Sequence, residues 1–194
     1  SFPTRRSSDL PDFLLNVALN KSKEITAAFA GEIFDTHKEG CAYVKEHAMF
    51  KCDQHFDIVI ASNSGYPLDQ NLYQTVKGMS AASKIVKKDG HIIMVSECAD
   101  GFPDHGKFAE IFKMADTPQG ILELIHDPNF KEVDQWQVQK QASIQTFANV
   151  HVYSELTDQQ LKDSMLIPTS NIEHTIQELE HRYGRKLTIG VMPQ

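Results

Sequence analysis

The stretch Asp57-Ile-Val-Ile-Ala-Ser-Asn-Ser-Gly-Tyr-Pro-Leu-Asp-Gln-Asn-Leu-Tyr-Gln-Thr-Val-Lys-Gly78 decides how this chain is built. Its apolar start, Asp57–Ala61, reads as a buried strand. Gly65-Tyr66-Pro67 reads as a turn. A helix is expected over 70–87, because Leu72, Val76, Met79 and Val86 recur at helical spacing and form its buried stripe. Asp69 is its expected cap, and Lys87-Lys88-Asp89-Gly90 its expected stop. Tyr73, Gln74 and Lys77 fall off the stripe. Gln74 and Lys77 are three apart, so they are neighbours on one helix face. They sit in the first turns after a strand, where open α/β sheets bind ligands. An amide beside an ammonium suits a small carboxylate.

Working outward, strands are expected at 12–20 and 25–31 and a helix at 35–49. Downstream, a strand at 91–97 completes a strand–helix–strand unit, most economically parallel and right-handed. Cys98–Lys107 is rich in Gly, Pro and Asp and reads as a loop at that strand's carboxyl end, with Glu97 and Asp100 beside it. Helices are expected at 107–115, 118–126 and 134–147, then a strand at 149–154. Thr157 caps a short helix over 158–165. Asn171 or Ser170 caps another that runs to Tyr183 and stops at Gly184, and Lys186–Met192 is a last strand. Alternating strands and helices give the fold class: α/β, a doubly wound, mostly parallel sheet flanked by helices, over roughly 52–184.

Composition narrows the function. The 194 residues are 41% hydrophobic and 23% charged, with a net charge of −7, as in a soluble globular protein. An acidic balance argues against a general nucleic-acid binder. No apolar run approaches the ~20 residues that cross a membrane. Cys41, Cys52 and Cys98 are odd in number and not closely paired, which fits a reducing, cytoplasmic compartment. Cys41, His47, Cys52 and His55 match no standard zinc spacing, so no metal site is expected. There is no Gly-x-Gly-x-x-Gly, and Ser64 lacks the Gly-x-Ser-x-Gly context of a nucleophile elbow.

Gly65-Tyr66-Pro67, Asp69, Asn71-Leu-Tyr-Gln74 and Lys77 resemble the C-terminal domain of the nickel-pincer lactate racemase family. Gly90-His-Ile-Ile-Met-Val-Ser-Glu97-Cys98, Gly101-Phe102 and Asp134-Gln-Trp136 extend the resemblance. Upstream, so do Phe13-Leu-Leu-Asn-Val-Ala-Leu-Asn20, Phe29-Ala-Gly31 and His37-Lys-Glu-Gly40. The resemblance covers nearly everything from Pro11 onward. It implies that 11–50 is the end of an N-terminal cofactor domain, an orphaned strand–helix piece here. It further implies that 51–184 is a C-terminal substrate-facing domain and that 185–194 is a strand returning to the first domain.

The implied activity is racemisation of a 2-hydroxy acid, lactate being the type substrate. In the family a hydride moves to and from a nickel-pincer nucleotide, because the hydrogen beside the carboxylate is too weakly acidic for an unaided base. The lysine that anchors that cofactor and the two acid–base histidines lie in the domain that precedes this one. No catalytic residue is therefore expected in this piece, and its cofactor contacts are unknown. The expected partners are a small 2-hydroxy acid and the missing N-terminal domain, with neither nucleic acid nor membrane. On this resemblance Lys77 neutralises the substrate carboxylate and Gln74 hydrogen-bonds to it. Tyr73 packs or donates from the rim, and Trp136 closes the pocket. A racemase of another 2-hydroxy acid, or a non-catalytic ligand-binding domain of the same fold, are the alternatives.

Residues 1–10, Ser-Phe-Pro-Thr-Arg-Arg-Ser-Ser-Asp-Leu, resemble one reading frame of a common sequencing adapter and are expected to be an artefact. Without them the chain has 17 basic and 25 acidic residues and a net charge of −8.

Overall fold

In the computed structural model, residues 11–103 and 106–192 are described; the adapter-like residues 1–10 lie outside them. The chain divides into two compact units, one ending at Cys52 and one beginning at Asp53.

The first unit is an antiparallel hairpin, β1 (Leu14–Leu19) and β2 (Ile25–Gly31), followed by α1 (Ile33–Ala48). Glu32 caps α1 through Oε2, which accepts from Phe34 N and Asp35 N. Phe29 is buried and meets the edge of Tyr43 at 5.5 Å. On the hairpin, Leu15, Val17 and Leu19 alternate along β1 with Phe13 just before it, and all four stay exposed. Alternate residues share one sheet face, so this unit presents a row of apolar side chains without cover.

The second unit carries a five-stranded sheet of order β6-β5-β4-β3-β7. Its strands are β3 (Phe56–Ser62), β4 (Val86–Val95), β5 (Asn149–Tyr153), β6 (Ile167–Pro168) and β7 (Ile189–Met192). Every ladder is parallel, and both faces are covered, so the strands read as continuous apolar runs. Val59, Ala61, Ile92 and Met94 face a core shared with helices α2 (Leu72–Ala82), α3 (Phe108–Phe112), α4 (Pro118–His126) and α5 (Gln135–Gln145). Ile58 and Ile93 point the other way, to Leu179, Ile172 and Ile176 of α7 (Ile172–Tyr183). This is the doubly wound α/β arrangement.

Local chemistry explains the remaining helix ends. Thr157 and Gln160 form a capping box at α6 (Asp158–Asp163). Asn171 accepts from His174 N to open α7, and Gly184, at φ +63°, closes it in the left-handed conformation that glycine adopts without strain.

Three expectations are corrected here. The helix expected over 70–87 ends at Ala82, and Val86 belongs to β4 rather than to the helical stripe. Ile85 and Val86 are β-branched and join the sheet, Phe56 N donating to Ile85 O at 2.9 Å. Lys87–Gly90 then form a bulge, where the register jumps from Phe56↔Val86 to Ile58↔His91 and Asp89 takes φ +61°. The helix cap is Asn71, whose Oδ1 accepts from Gln74 N at 3.1 Å, and not Asp69.

At the carboxyl end of the chain, Ile189–Met192 is the edge strand beside β3. Asp57 holds it there. Its carboxylate accepts from both Arg185 Nη atoms at 2.9 and 3.0 Å and from Lys87 Nζ at 2.8 Å. It also accepts from Thr188 N and Oγ1, each at 2.8 Å. The Arg185 guanidinium keeps the Asp57 carboxyl far below the usual carboxylate range, against the opposing effect of burial.

Candidate functional site

The loop from β3 to α2 is fixed by its own backbone. Leu68 N and Asp69 N donate to Gly65 O at 2.8 and 3.2 Å. Asn63 Nδ2 donates to Leu68 O and, at 3.2 Å, to Gln74 O. The neighbouring loop after β4 clasps the same segment: Cys98 N donates to Asp69 O at 2.9 Å, Asp100 N to Gln70 O at 2.8 Å, and Leu72 N to Gly101 O at 3.2 Å. Beneath α2, Thr75 Oγ1 lies 2.6 Å from Ser96 Oγ and 3.4 Å from the buried Cys98 Sγ. Burial pushes the Cys98 thiol up, so it stays protonated.

Close packing sets the position of α2. A Cβ on Gly78 would stand 2.5 Å from Met94 Cε and 3.2 Å from the Ser62 carbonyl. Only glycine lets the helix lie this near the carboxyl end of β3.

On that helix and the facing α5, the four expected site residues fall into two pairs. Lys77 Nζ donates to Gln74 Oε1 at 2.6 Å. An ammonium has three N–H donors, so this bond orients the pair and still leaves positive charge at the surface. Tyr73 meets Trp136 edge-on, with centroids 5.9 Å apart and planes at 87°. Phe108 also meets Tyr73 edge-on, at 5.7 Å. Burial, with the Asp134 carboxylate nearby, pushes the Tyr73 phenol up, so it is a neutral donor. Trp136 is about half exposed, and Lys140 Nζ stands 5.6 Å from its ring centroid. Tyr73 and Lys77 are one turn apart on α2. A neutral aromatic rim therefore borders an ammonium–amide pair, which fits a small anion with an apolar end.

Sequence reasoning missed the residue that joins the pairs. Gln137, fully buried on α5, donates from Nε2 to Tyr73 O at 2.6 Å. It ties the helix of Trp136 to the first turn of α2. Its only sequence signal is its place beside Trp136. Of the two acidic residues noted near the next strand end, Glu97 stands at the carboxyl end of β4, where its backbone N–H donates to Asp69 Oδ2 at 3.2 Å. Asp100 is exposed.

Among the described residues no three His, Cys, Asp or Glu side chains converge as metal ligands do. This donor set does not fit a nickel-bearing group, and no step of the chemistry is assigned to one on this chain. Cys41 and Cys52 are exposed free thiols.

Comparison with known proteins places this geometry. The profile of the lactate racemase C-terminal domain matches residues 52–194. The lactate racemase of Lactiplantibacillus plantarum is 35% identical over 183 residues, and that of Thermoanaerobacterium thermosaccharolyticum 36% identical over 184. Each alignment takes in 93% of this chain but only 43% of the relative. The solved lactate racemase apoprotein of T. thermosaccharolyticum superposes with a TM-score of 0.83 at 35% identity, over 93% of this chain and 44% of that one.

Proposed function

This chain belongs to the lactate racemase C-terminal domain family, and on that premise we propose that it is the substrate-facing part of a 2-hydroxy acid racemase, an isomerase of the lactate type. The observation that carries the reading is the Lys77–Gln74 pair at the start of α2, bordered by Tyr73 and Trp136. Lys77 neutralises the substrate carboxylate and Gln74 hydrogen-bonds to it or to the hydroxyl. Tyr73 and Trp136 cover the small apolar end and exclude water. Gln137 holds the two halves of this wall in register.

Residues 11–50 are the end of a preceding, cofactor-bearing domain, and 51–184 the substrate-facing domain. The exposed row Phe13, Leu15, Val17 and Leu19 supports the first assignment. Such a surface is covered in a working protein, here by the remainder of that domain. The chain spans less than half the length of the curated relatives it matches. The acid–base groups and the hold on a nickel-pincer nucleotide are assigned to that remainder, as the family resemblance implies. Among the described residues no helix is long and apolar enough to cross a membrane, and a cytoplasmic location is proposed with the function.

The test is to assay the purified 194-residue chain for interconversion of D- and L-lactate, alone and then joined to the preceding region of a relative. The chain alone is expected to be inactive and the joined protein active. Racemisation by the chain alone, or an inactive joined protein that folds and loads cofactor, would overturn the reading.

A further inference from the structure

Thr75 stands between Gln74 and Lys77 in the sequence, but on the buried side of α2. Its neighbours there are Ser96, just past the carboxyl end of β4, and Cys98, and all three side chains are shut off from water. Packing alone does not ask for a hydroxyl at this place. Leu72, Val76 and Met79 already bury the apolar stripe of α2, and a valine would fill the same volume as the threonine.

Each of the three polar side chains carries one donor proton, and the shortest contacts order these protons in a single direction. The Cys98 thiol donates to Ser96 Oγ at 3.4 Å, Ser96 donates to Thr75 Oγ1 at 2.6 Å, and Thr75 donates to Asn71 O at 3.1 Å. Burial keeps the Cys98 proton in place. Asn71 caps α2, its Oδ1 accepting from Gln74 N at 3.1 Å. A run of bonds therefore leads from the end of β4 to the backbone of a clamp residue. Satisfied networks in low-dielectric surroundings rigidify what they join.

We propose that Thr75 is a positioning residue of the carboxylate clamp: through Ser96 and Asn71 it fixes the first turn of α2, and with it the direction in which Gln74 and Lys77 point. The role rests on the racemase reading. Thr75 itself, being buried, does not meet the substrate.

The experiment measures lactate kinetics of the joined, cofactor-loaded protein carrying Thr75→Val, Thr75→Ser, Lys77→Ala or Thr75→Val with Lys77→Ala, each beside a thermal melt. Thr75→Val keeps the branched shape and ends the run of bonds. Ser96 Oγ still has the Asp69 carbonyl at 3.4 Å as an acceptor, so no donor is stranded. KM should rise about tenfold in Thr75→Val with kcat little changed, because a misdirected clamp loses binding common to ground and transition states. A mere loss of folded protein would lower kcat and leave KM alone. Thr75→Ser, which keeps the hydroxyl, should behave as the unsubstituted protein. Thr75→Val should add nothing to Lys77→Ala, since it acts through that residue. If Thr75→Val does not fold, Ser96→Ala carries the test with the same expected rise in KM. An unchanged KM in the folded variant, a defect in Thr75→Ser equal to that in Thr75→Val, or a Thr75→Val effect that persists in full beside Lys77→Ala would overturn the positioning role alone. A Lys77→Ala protein with unchanged kinetics would overturn the clamp, and the positioning role with it.

Discussion

Lys77 Nζ lies 2.6 Å from Gln74 Oε1, one turn along α2. The ammonium and the amide therefore act as one unit, with the amide setting where the charge points. In a working racemase built on this chain, Gln74→Glu would leave that contact in place and cancel its charge. The helix should be unharmed, because a Glu–Lys pair at this spacing is mildly stabilising. KM for the hydroxy acid should rise about 10- to 100-fold, since a carboxylate would then face the substrate carboxylate. Steady-state kinetics beside a thermal melt checks both halves of the claim.

The closeness of α2 to β3 gives a prediction on stability. Gly78→Val would press a branched side chain against Met94 and the Ser62 carbonyl. Overpacking of this kind costs about 1–3 kcal/mol. Denaturant unfolding should show that loss.

A third prediction concerns pH. His91 Nδ1 lies 3.0 Å from His151 Nε2, both histidines being buried, and His91 Nε2 lies 3.2 Å from the hydroxyl of the exposed Tyr183. Burial first, then the neighbouring His91, pushes His151 down to about 4 from 6.5, and burial likewise lowers His91. Both groups are neutral in the fold, whereas the unfolded chain binds protons already below 6.5. Stability should therefore be at its full value above that pH and fall as pH drops from about 6.5 toward 4. Asp57 adds a second loss further into acid: its folded pKa is depressed, so its contribution holds above the ordinary carboxylate value and disappears below it. Melts across pH 8 to 3 should show two descending steps. His151→Gln should flatten the upper one and spare the lower.

These contacts also show what a sequence carries in plain view. The β3–α2 unit was legible because Asp57–Ala61 is unbroken and apolar, and because Leu72, Val76 and Met79 keep the helical period. The caps at Thr157 and Asn171 and the stop at Gly184 were legible for the same reason: each is set by residues within one turn.

What escaped depends on partners distant in sequence. Lys87-Lys88-Asp89-Gly90 carries the local signature of a helix end, but pairing of Ile85 and Val86 with β3 overrides it. The place of β7 follows from Asp57 meeting Arg185 and Thr188 across almost the whole unit. Two-residue β6 is too short to have a period. In the candidate site, Gln74 and Lys77 were legible from their spacing on one helix face, and the roles of Tyr73 and Trp136 came from motifs that resemble a known family. Gln137 and the His91–His151 pair could not, because nothing in the local pattern separates a buried polar side chain from an exposed one.

The most direct test of the central claim is the rate of lactate racemisation by the joined, cofactor-loaded protein with Lys77→Ala. The account predicts a folded protein whose kcat/KM falls about 10- to 100-fold, the loss expected when a hydrogen bond to a charged group is removed. A Lys77→Ala protein that folds, loads cofactor and racemises lactate at the unsubstituted rate would contradict the carboxylate clamp.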